Sequence, residues 1–382
     1  MEYRIAIVTT CSEDWGGSEE LWAKTIPYLQ SYGYTITVYK KNLNLNHQEF
    51  IKLARSGVEL QELNITKSPF HRHIAKRIFN KICGKETPYN TESQLKMLLI
   101  LKKPVLCIIS QGINFDGTGL GYICLENKIP YVLIAQKAVD FYWPPNADRA
   151  AMRKVYINAM KCYFVAHHNK LLTEEQFGVR LVNTEIVSNP IKIKREILPM
   201  PTIDDGYRLA CIGRYFLLDK GQDILIRIMA AEKWKNRPVR LSFFGTGDDK
   251  TGLVEMAKLL KATNVEFLDY YDDMEQLWLD HHALVLAARS EGTPLVLLEA
   301  MACGRTSIVS YAGGNSELIT DGESGFLGQA NERDFDDALE RAWQQRNDWE
   351  IIGQRAHAHI VSVVPQLPQE ELAKSLMSLL NE

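Results

Sequence analysis

Short apolar runs of strand length alternate with helix-length segments along almost the whole chain, and few folds are open to a chain written that way. Arg4-Ile5-Ala6-Ile7-Val8-Thr9 reads as a buried strand, Ser18 to Tyr32 as a helix stopped near Gly33, and Thr35-Ile36-Thr37-Val38-Tyr39 as the next strand. Val105 to Ser110 and Tyr131 to Ala135 continue the pattern. It restarts at Tyr207 to Ile212, Val239 to Phe244 and Ala283 to Ala287, with helical segments between. Strands that are apolar on both faces, separated by helices, predict parallel sheets covered on both sides. The proline-bearing stretch from Asn189 to Asp205 breaks the alternation and reads as a linker. The fold class predicted is therefore α/β, with two doubly wound Rossmann-like domains. The tail from Gln369 to Asn381 has the pattern of an amphipathic helix.

At 382 residues the chain has room for two cores of ordinary size. No run approaches the roughly 20 apolar residues that span a bilayer. The first residues enter a strand pattern directly and do not read as a signal peptide. Seven cysteines are scattered without a C-x-x-C pair, which fits a reducing compartment, and a cytoplasmic protein is expected. The net charge of −3 is unevenly split: 23 Lys and Arg against 17 Asp and Glu through Pro190, then 21 against 30. That balance gives no support to nucleic-acid binding. A basic first half can still face an anionic surface or acceptor.

The most informative local segment runs from Ser290 to Gly304, S-E-G-T-P-L-V-L-L-E-A-M-A-C-G. It reads as a loop and then a helix, with Thr293 as N-cap, Pro294 at the first helical position and Gly304 as the stop. Glu291 then lies on the loop and Glu299 about two turns into the helix. The first amides, near Leu295 and Val296, are left free to meet an anion. Carboxylates beside them can accept hydrogen bonds from hydroxyls, so a phosphorylated, hydroxyl-rich ligand suits the segment. Upstream, Cys211-Ile212-Gly213-Arg214 through Asp219-Lys220-Gly221 follows a strand and opens a helix. Ligands of open α/β sheets bind at the carboxyl ends of strands, which points Arg214 and Lys220 at a diphosphate. A lysine at a helix start opposes the macrodipole unless an anion is present. Gly16-Gly17-Ser18-Glu19 after the first strand, with Ser18 able to cap a helix, and Gly245-Thr246-Gly247 after a later one, permit close approach of backbone to ligand.

The segment around Glu291 and Glu299 resembles the E-x7-E signature of retaining glycosyltransferases of family 4. Gly313-Gly314-Asn315-Ser316-Glu317 and Asp321-Gly322-Glu323-Ser324-Gly325 follow the same family's pattern, as do Gly16-Gly17-Ser18-Glu19 and the Arg214…Lys220-Gly221 element. The resemblance implies a GT-B fold with two domains facing a central cleft. Residues 1–190 would bind the acceptor, 191–205 would link, 206–359 would bind a nucleotide-sugar donor, and a last helix of about 360–382 would pack back on the first domain. It further implies that Glu299 holds ribose hydroxyls and Glu291 a donor-sugar hydroxyl. Thr293, Pro294, Leu295 and Val296 would approach sugar and phosphates, with the base near Leu268 to Tyr271. Arg214 and Lys220 would stand in for a divalent cation, so no metal and no cofactor is expected. The histidine pairs His167-His168 and His281-His282 lack a carboxylate or cysteine at ligand spacing.

One departure stands out. Family members commonly carry a histidine just after the strand equivalent to Tyr131–Ala135, where this chain has Gln136, which can bond a hydroxyl but cannot shuttle a proton. Beyond it, Asp140, Tyr142 and Trp143 read equally as an acceptor platform or as a packed loop. Between Lys67 and Lys85 a stripe of Phe70, Ile74, Ile78 and Ile82 is flanked by basic residues. It reads as a surface helix docked on the core or as a peripheral contact with the inner face of a membrane, where lipid-linked acceptors reside. The resemblance is strongest from Arg208 to Leu327 and weak over Leu43 to Leu101. The function expected is transfer of a sugar to a carbohydrate or lipid-linked hydroxyl in glycan, polysaccharide or glycolipid synthesis. The alternatives are an epimerase or phosphorylase of the same fold, or a non-catalytic sugar-nucleotide sensor. A dinucleotide-dependent oxidoreductase is disfavoured, because the first strand leads into Cys11 to Gly17 without G-x-G-x-x-G and the second ends in Tyr39-Lys40-Lys41.

Overall fold

The structure, a computed structural model, describes residues 3–63 and 91–381. The basic stripe of 67–85 lies outside these residues. Two parallel sheets are present. The first contains β1 (Arg4–Thr9), β2 (Thr35–Lys40), β3 (Glu59–Glu62), β4 (Leu106–Gln111), β5 (Tyr131–Ala135), β6 (Lys161–Phe164) and β7 (Thr184–Ile186), in the order β3-β2-β1-β4-β5-β6-β7. The second contains β8 (Tyr207–Ile212), β9 (Val239–Phe244), β10 (Val265–Leu268), β11 (Ala283–Leu286), β12 (Thr306–Ser310) and β13 (Phe326–Gly328), in the order β10-β9-β8-β11-β12-β13. Both are doubly wound, and the arrangement is that of the GT-B fold.

The central strands are buried on both faces, which is why their sequences are continuous apolar runs rather than alternating ones. On one face of the first sheet, Ile5, Ile7 and Val38 pack with Leu21, Trp22 and Ile26 of the helix Gly17–Ser31. Leu372, Leu376 and Met377 of the final helix Pro368–Asn381 close the same core. On the other face Val8, Ile109 and Leu133 pack with Leu95, Leu99, Cys124 and Tyr156. The second sheet has one continuous core that includes Phe243, Trp234 and Trp278. The helix Trp349–Val363 belongs to that second core, through Trp349, Ile352 and Ile360, so the return to the first core is made over 364–367.

The chain thus passes between the cores twice, and both passages are tied down by arginines. Arg195 donates to the carbonyls of Val364 and Pro365, joining the outgoing to the returning segment. Arg305 is fully buried and donates to the carbonyls of Leu198, Pro199, Trp278, His281 and Cys303 at 2.7–3.1 Å. A guanidinium carries five donors in a rigid fork, and here five carbonyls of linker and domain accept from it. Among the described residues no helix is long and apolar enough to cross a membrane.

Arg305→Met would remove the guanidinium from these carbonyls, although that of Cys303 keeps the amide of Leu198 as a donor. The expected cost is ~3 kcal/mol, with Arg305→Lys intermediate because an ammonium has only three donors. Denaturant unfolding with the wild-type m-value would measure it, and two unaltered midpoints would show that the guanidinium anchors nothing.

Candidate functional site

The carboxyl ends of the strands in the two sheets face each other and enclose a cleft of about 770 Å³. Gly16, Gly17 and Gln136 line it from the first domain. Gly213, Arg214, Lys220, Gly245, Thr246, Tyr271, Glu291, Thr293, Pro294, Leu295, Val296 and Glu299 line it from the second. Gly247 is not part of this lining. Its missing side chain leaves room for the backbone of Tyr215, so it supports the loop from behind. Asp140, Tyr142 and Trp143 also lie outside the lining: Asp140 faces His168 at 3.8 Å, and the two aromatic rings are exposed. The His168 partner holds the Asp140 carboxyl below its usual range, and Asp140 in turn raises the imidazole.

Local sequence explains how the donor-side residues are held. The helix Leu295–Ala302 begins one residue later than the spacing suggests, with Pro294 as its N-cap. Thr293 does not cap it. Its hydroxyl donates instead to the carbonyl of Val165 in the other domain, at 2.7 Å. A tertiary acceptor has outcompeted the local one. The amides of Leu295 and Val296 have no acceptor among the described residues and open into the cleft. The helix Gly17–Ser31 likewise has Gly16 as its N-cap and no side-chain cap from Ser18. Gly292 is pressed against the first domain so closely that a Cβ there would overlap the carbonyl oxygen of Gln136.

Lys220 ends the short helical turn Leu217–Lys220 rather than starting a helix, and Gly221, at φ +60°, makes the break before Gln222–Met229. The macrodipole conflict anticipated for Lys220 therefore does not arise in that form. Its ammonium donates to Glu291 Oε1 at 2.6 Å, so two of the candidate site groups are paired with each other. Arg214 is paired across the cleft with Glu13, on the loop between β1 and the first helix. Lys137 of the first domain donates to Asp219 of the second at 2.6 Å.

The sequence reading did not single out Glu13, Lys137 or Asp219. It also missed Lys192, which contacts Glu20 Oε1 at 3.1 Å while Trp15 Nε1 donates to the same oxygen. These residues sit beside recognised motifs, but only the apposition of the two domains pairs them. Position next to a strand end was the available signal.

The Glu299 side chain is buried, and its carboxylate accepts no hydrogen bond from the described residues. Burial pushes its carboxyl up to about 7. Lys192 and Lys24 pull it down, while Glu20 pushes it up. Two further groups lining the cleft have orphaned polar atoms, Gln136 Nε2 and Asn189 Oδ1, and both side chains are more than nine-tenths buried. The site therefore offers two cations held by exchangeable carboxylates, two free amides, a carboxylate poised near neutrality and unpaired amide groups. Such a set suits an anionic group attached to a polyol.

Known proteins resemble this chain in part of its sequence and in its fold. Residues 206–345 match the family model described as Glycosyl transferases group 1. The chain is 25% identical over 266 residues to the UDP-N-acetylglucosamine--peptide N-acetylglucosaminyltransferase GtfA subunit of Streptococcus parasanguinis, covering 65% of this chain and 50% of that protein. It is 31% identical over 137 residues to N-acetyl-alpha-D-glucosaminyl L-malate synthase of Bacillus anthracis, covering 35% of each. The aligned regions span half or less of these relatives. Among solved structures, Anabaena Alr3699/HepE in complex with UDP superposes with a TM-score of 0.74 at 15% identity, over 99% of this chain and 100% of that one.

The Glu299 shift has a signed consequence. The unfolded carboxyl ionises near its ordinary 4.5 and the folded one near 7, so between these values the folded state holds more protons and stability falls as pH rises. Glu299→Gln removes this component. Variant and wild type should be about equally stable below pH 4.5, and the variant more stable by roughly 1–3 kcal/mol at pH 8 without ligand. Denaturation midpoints at both pH values decide it; a difference that does not change with pH counts against a buried, unpaired carboxylate.

Proposed function

We infer that the chain is a retaining glycosyltransferase of family 4 that moves a sugar from a nucleoside-diphosphate sugar to a hydroxyl acceptor. The observation that carries this reading is the grouping of Lys220, Glu291, Arg214 and the free amides of Leu295 and Val296 around one cleft between two facing sheets. In the proposed reaction the bond from the anomeric carbon to the diphosphate breaks, and its electron pair goes to the leaving phosphate oxygen. Arg214, Lys220 and the two amides stabilise that charge, and no metal or cofactor is required. The acceptor oxygen attacks from the same face, and its proton passes to the departing phosphate. Orientation supplies much of the acceleration, which is why Glu291 would bind a hydroxyl of the transferred sugar.

Glu299 would take the ribose hydroxyls, and its partial protonation would be relieved as they donate to it. Gln136 Nε2, lacking a partner, would donate to a sugar or acceptor hydroxyl. Asp140, Tyr142 and Trp143 are assigned to an acceptor long enough to extend past the cavity. The relatives' names and the UDP-bound neighbour make UDP the first nucleotide to test. Contact with a membrane through 67–85 rests on the sequence pattern alone.

A thermal-shift screen against UDP, GDP, ADP and their sugar conjugates tests the donor class. Ligand at about 100 times its dissociation constant adds roughly 2.7 kcal/mol. Glu291→Gln should lower transfer about a hundredfold while the protein stays folded. Unchanged turnover, or loss of the folded state, would remove the assigned role. Glu13→Gln should act in the other direction. It frees Arg214 from its carboxylate, so UDP should bind about threefold more tightly at low salt, with the gain shrinking as salt rises. Equal calorimetric affinities would mean that Glu13 does not compete with the diphosphate.

A further inference from the structure

We propose that the Lys137–Asp219 ion pair is a clamp between the domains, and that Lys137 is a positioning residue for the loop that carries Glu291. The proposal rests on the transferase reading for its consequence in turnover, but its geometry stands apart from that reading.

Both ends of the pair are anchored. The backbone carbonyl of Lys137 accepts the Asn114 amide at 2.8 Å, and Asn114 is fully buried, donating to Thr173 and Gln176. Lys137 is therefore held on a rigid part of the first domain. Its ammonium reaches across to Asp219 Oδ2 at 2.6 Å, and neither side chain is more than 16% exposed. Asp219 in turn holds the catalytic loop through its main chain. Its carbonyl accepts the amides of Arg289 and Ser290 at 2.7 and 3.1 Å, and the next residue is Glu291. On its other side Asp219 is followed by Lys220, which pairs with Glu291. One residue thus receives the cation of the opposite domain and supports both candidate site groups.

The physical consequence follows from this connectivity. Removing the Lys137 ammonium leaves a largely buried carboxylate without a partner, and Asp219 must turn toward water. That movement strains the bonds to the 289–290 amides and loosens the Lys220–Glu291 pair. A displacement of about 1 Å at a reacting centre costs up to a hundredfold in rate. Nucleotide affinity should fall much less than turnover because, of the assigned diphosphate contacts, only Lys220 adjoins Asp219, while Arg214 and the amides that open the helix Leu295–Ala302 are held by other bonds.

The test compares Lys137→Ala, Lys137→Arg and the double variant Lys137→Ala/Asp219→Ala with the wild-type chain. Amide exchange over 289–293 without ligand is the first readout, UDP affinity by calorimetry the second, and UDP release from UDP-glucose or UDP-N-acetylglucosamine the third. Lys137→Ala should speed exchange over 289–293 about tenfold, leave the UDP dissociation constant within about threefold, and lower turnover at least tenfold. Lys137→Arg should restore all three, and the double variant should be no worse than the single. Unchanged exchange over 289–293, an arginine variant as impaired as the alanine one, or equal losses in affinity and turnover would each overturn the clamp. If the wild type binds no nucleotide, the transferase reading falls, and the exchange comparison still decides whether the clamp exists.

Discussion

Gly292 carries no side chain, and the carbonyl of Gln136 from the opposite domain occupies the space that a Cβ would need. This close approach brings the strand ends of the second sheet against those of the first. Around it lie the Thr293 hydroxyl on Val165, Lys137 on Asp219, and the Glu317 carboxylate accepting the amides of His167 and His168 at the start of a helix. The last of these also places a negative charge where a helix N-terminus favours it. Without room at position 292 the two domains could not meet at these groups, and the cleft walls would not share one cavity. Gly313 and Gly314 extend the same requirement, since side chains there would collide with the 291–293 loop.

Charge in the cleft follows a related logic. Lys220, Arg214, Lys137 and Lys192 each face a carboxylate, and three of the four pairs join the first domain to the linker or the second domain. A cleft with bare cations would repel closure of its own walls, whereas paired ones can exchange a carboxylate for a phosphate oxygen. Glu299 is the contrasting case. Its carboxylate is buried and accepts no hydrogen bond from the described residues, and burial pushes it up to about 7.

Much of this was legible from the chain. Continuous apolar runs such as Ile5–Val8 and Leu284–Leu286 read as strands covered on both faces because of their short length and the helix-length segments between them. The residues from Arg214 to Lys220 and from Glu291 to Glu299 stood out because strand ends, glycines and charges recur there at short separations. The errors were local. Thr293 and Ser18 have the chemistry of caps, but Thr293 found a better acceptor in another domain, and Gly16 took the capping position at the first helix. The aromatic loop at Tyr142 and Trp143 carried no periodicity, and its distance from the cleft depends on how the chain turns after β5.

Sequence by itself determined the parallel α/β layering of the two sheets. Burial preference, chain propensity and the position of a residue at a strand end are properties of short segments. Tertiary structure decided the partners. That Glu13 meets Arg214 and that Lys137 meets Asp219 depends on surfaces 201 and 82 residues apart in the chain. Such pairings are set by the packing of whole sheets against one another, and a residue's immediate neighbours in sequence carry no trace of the distance at which they will meet.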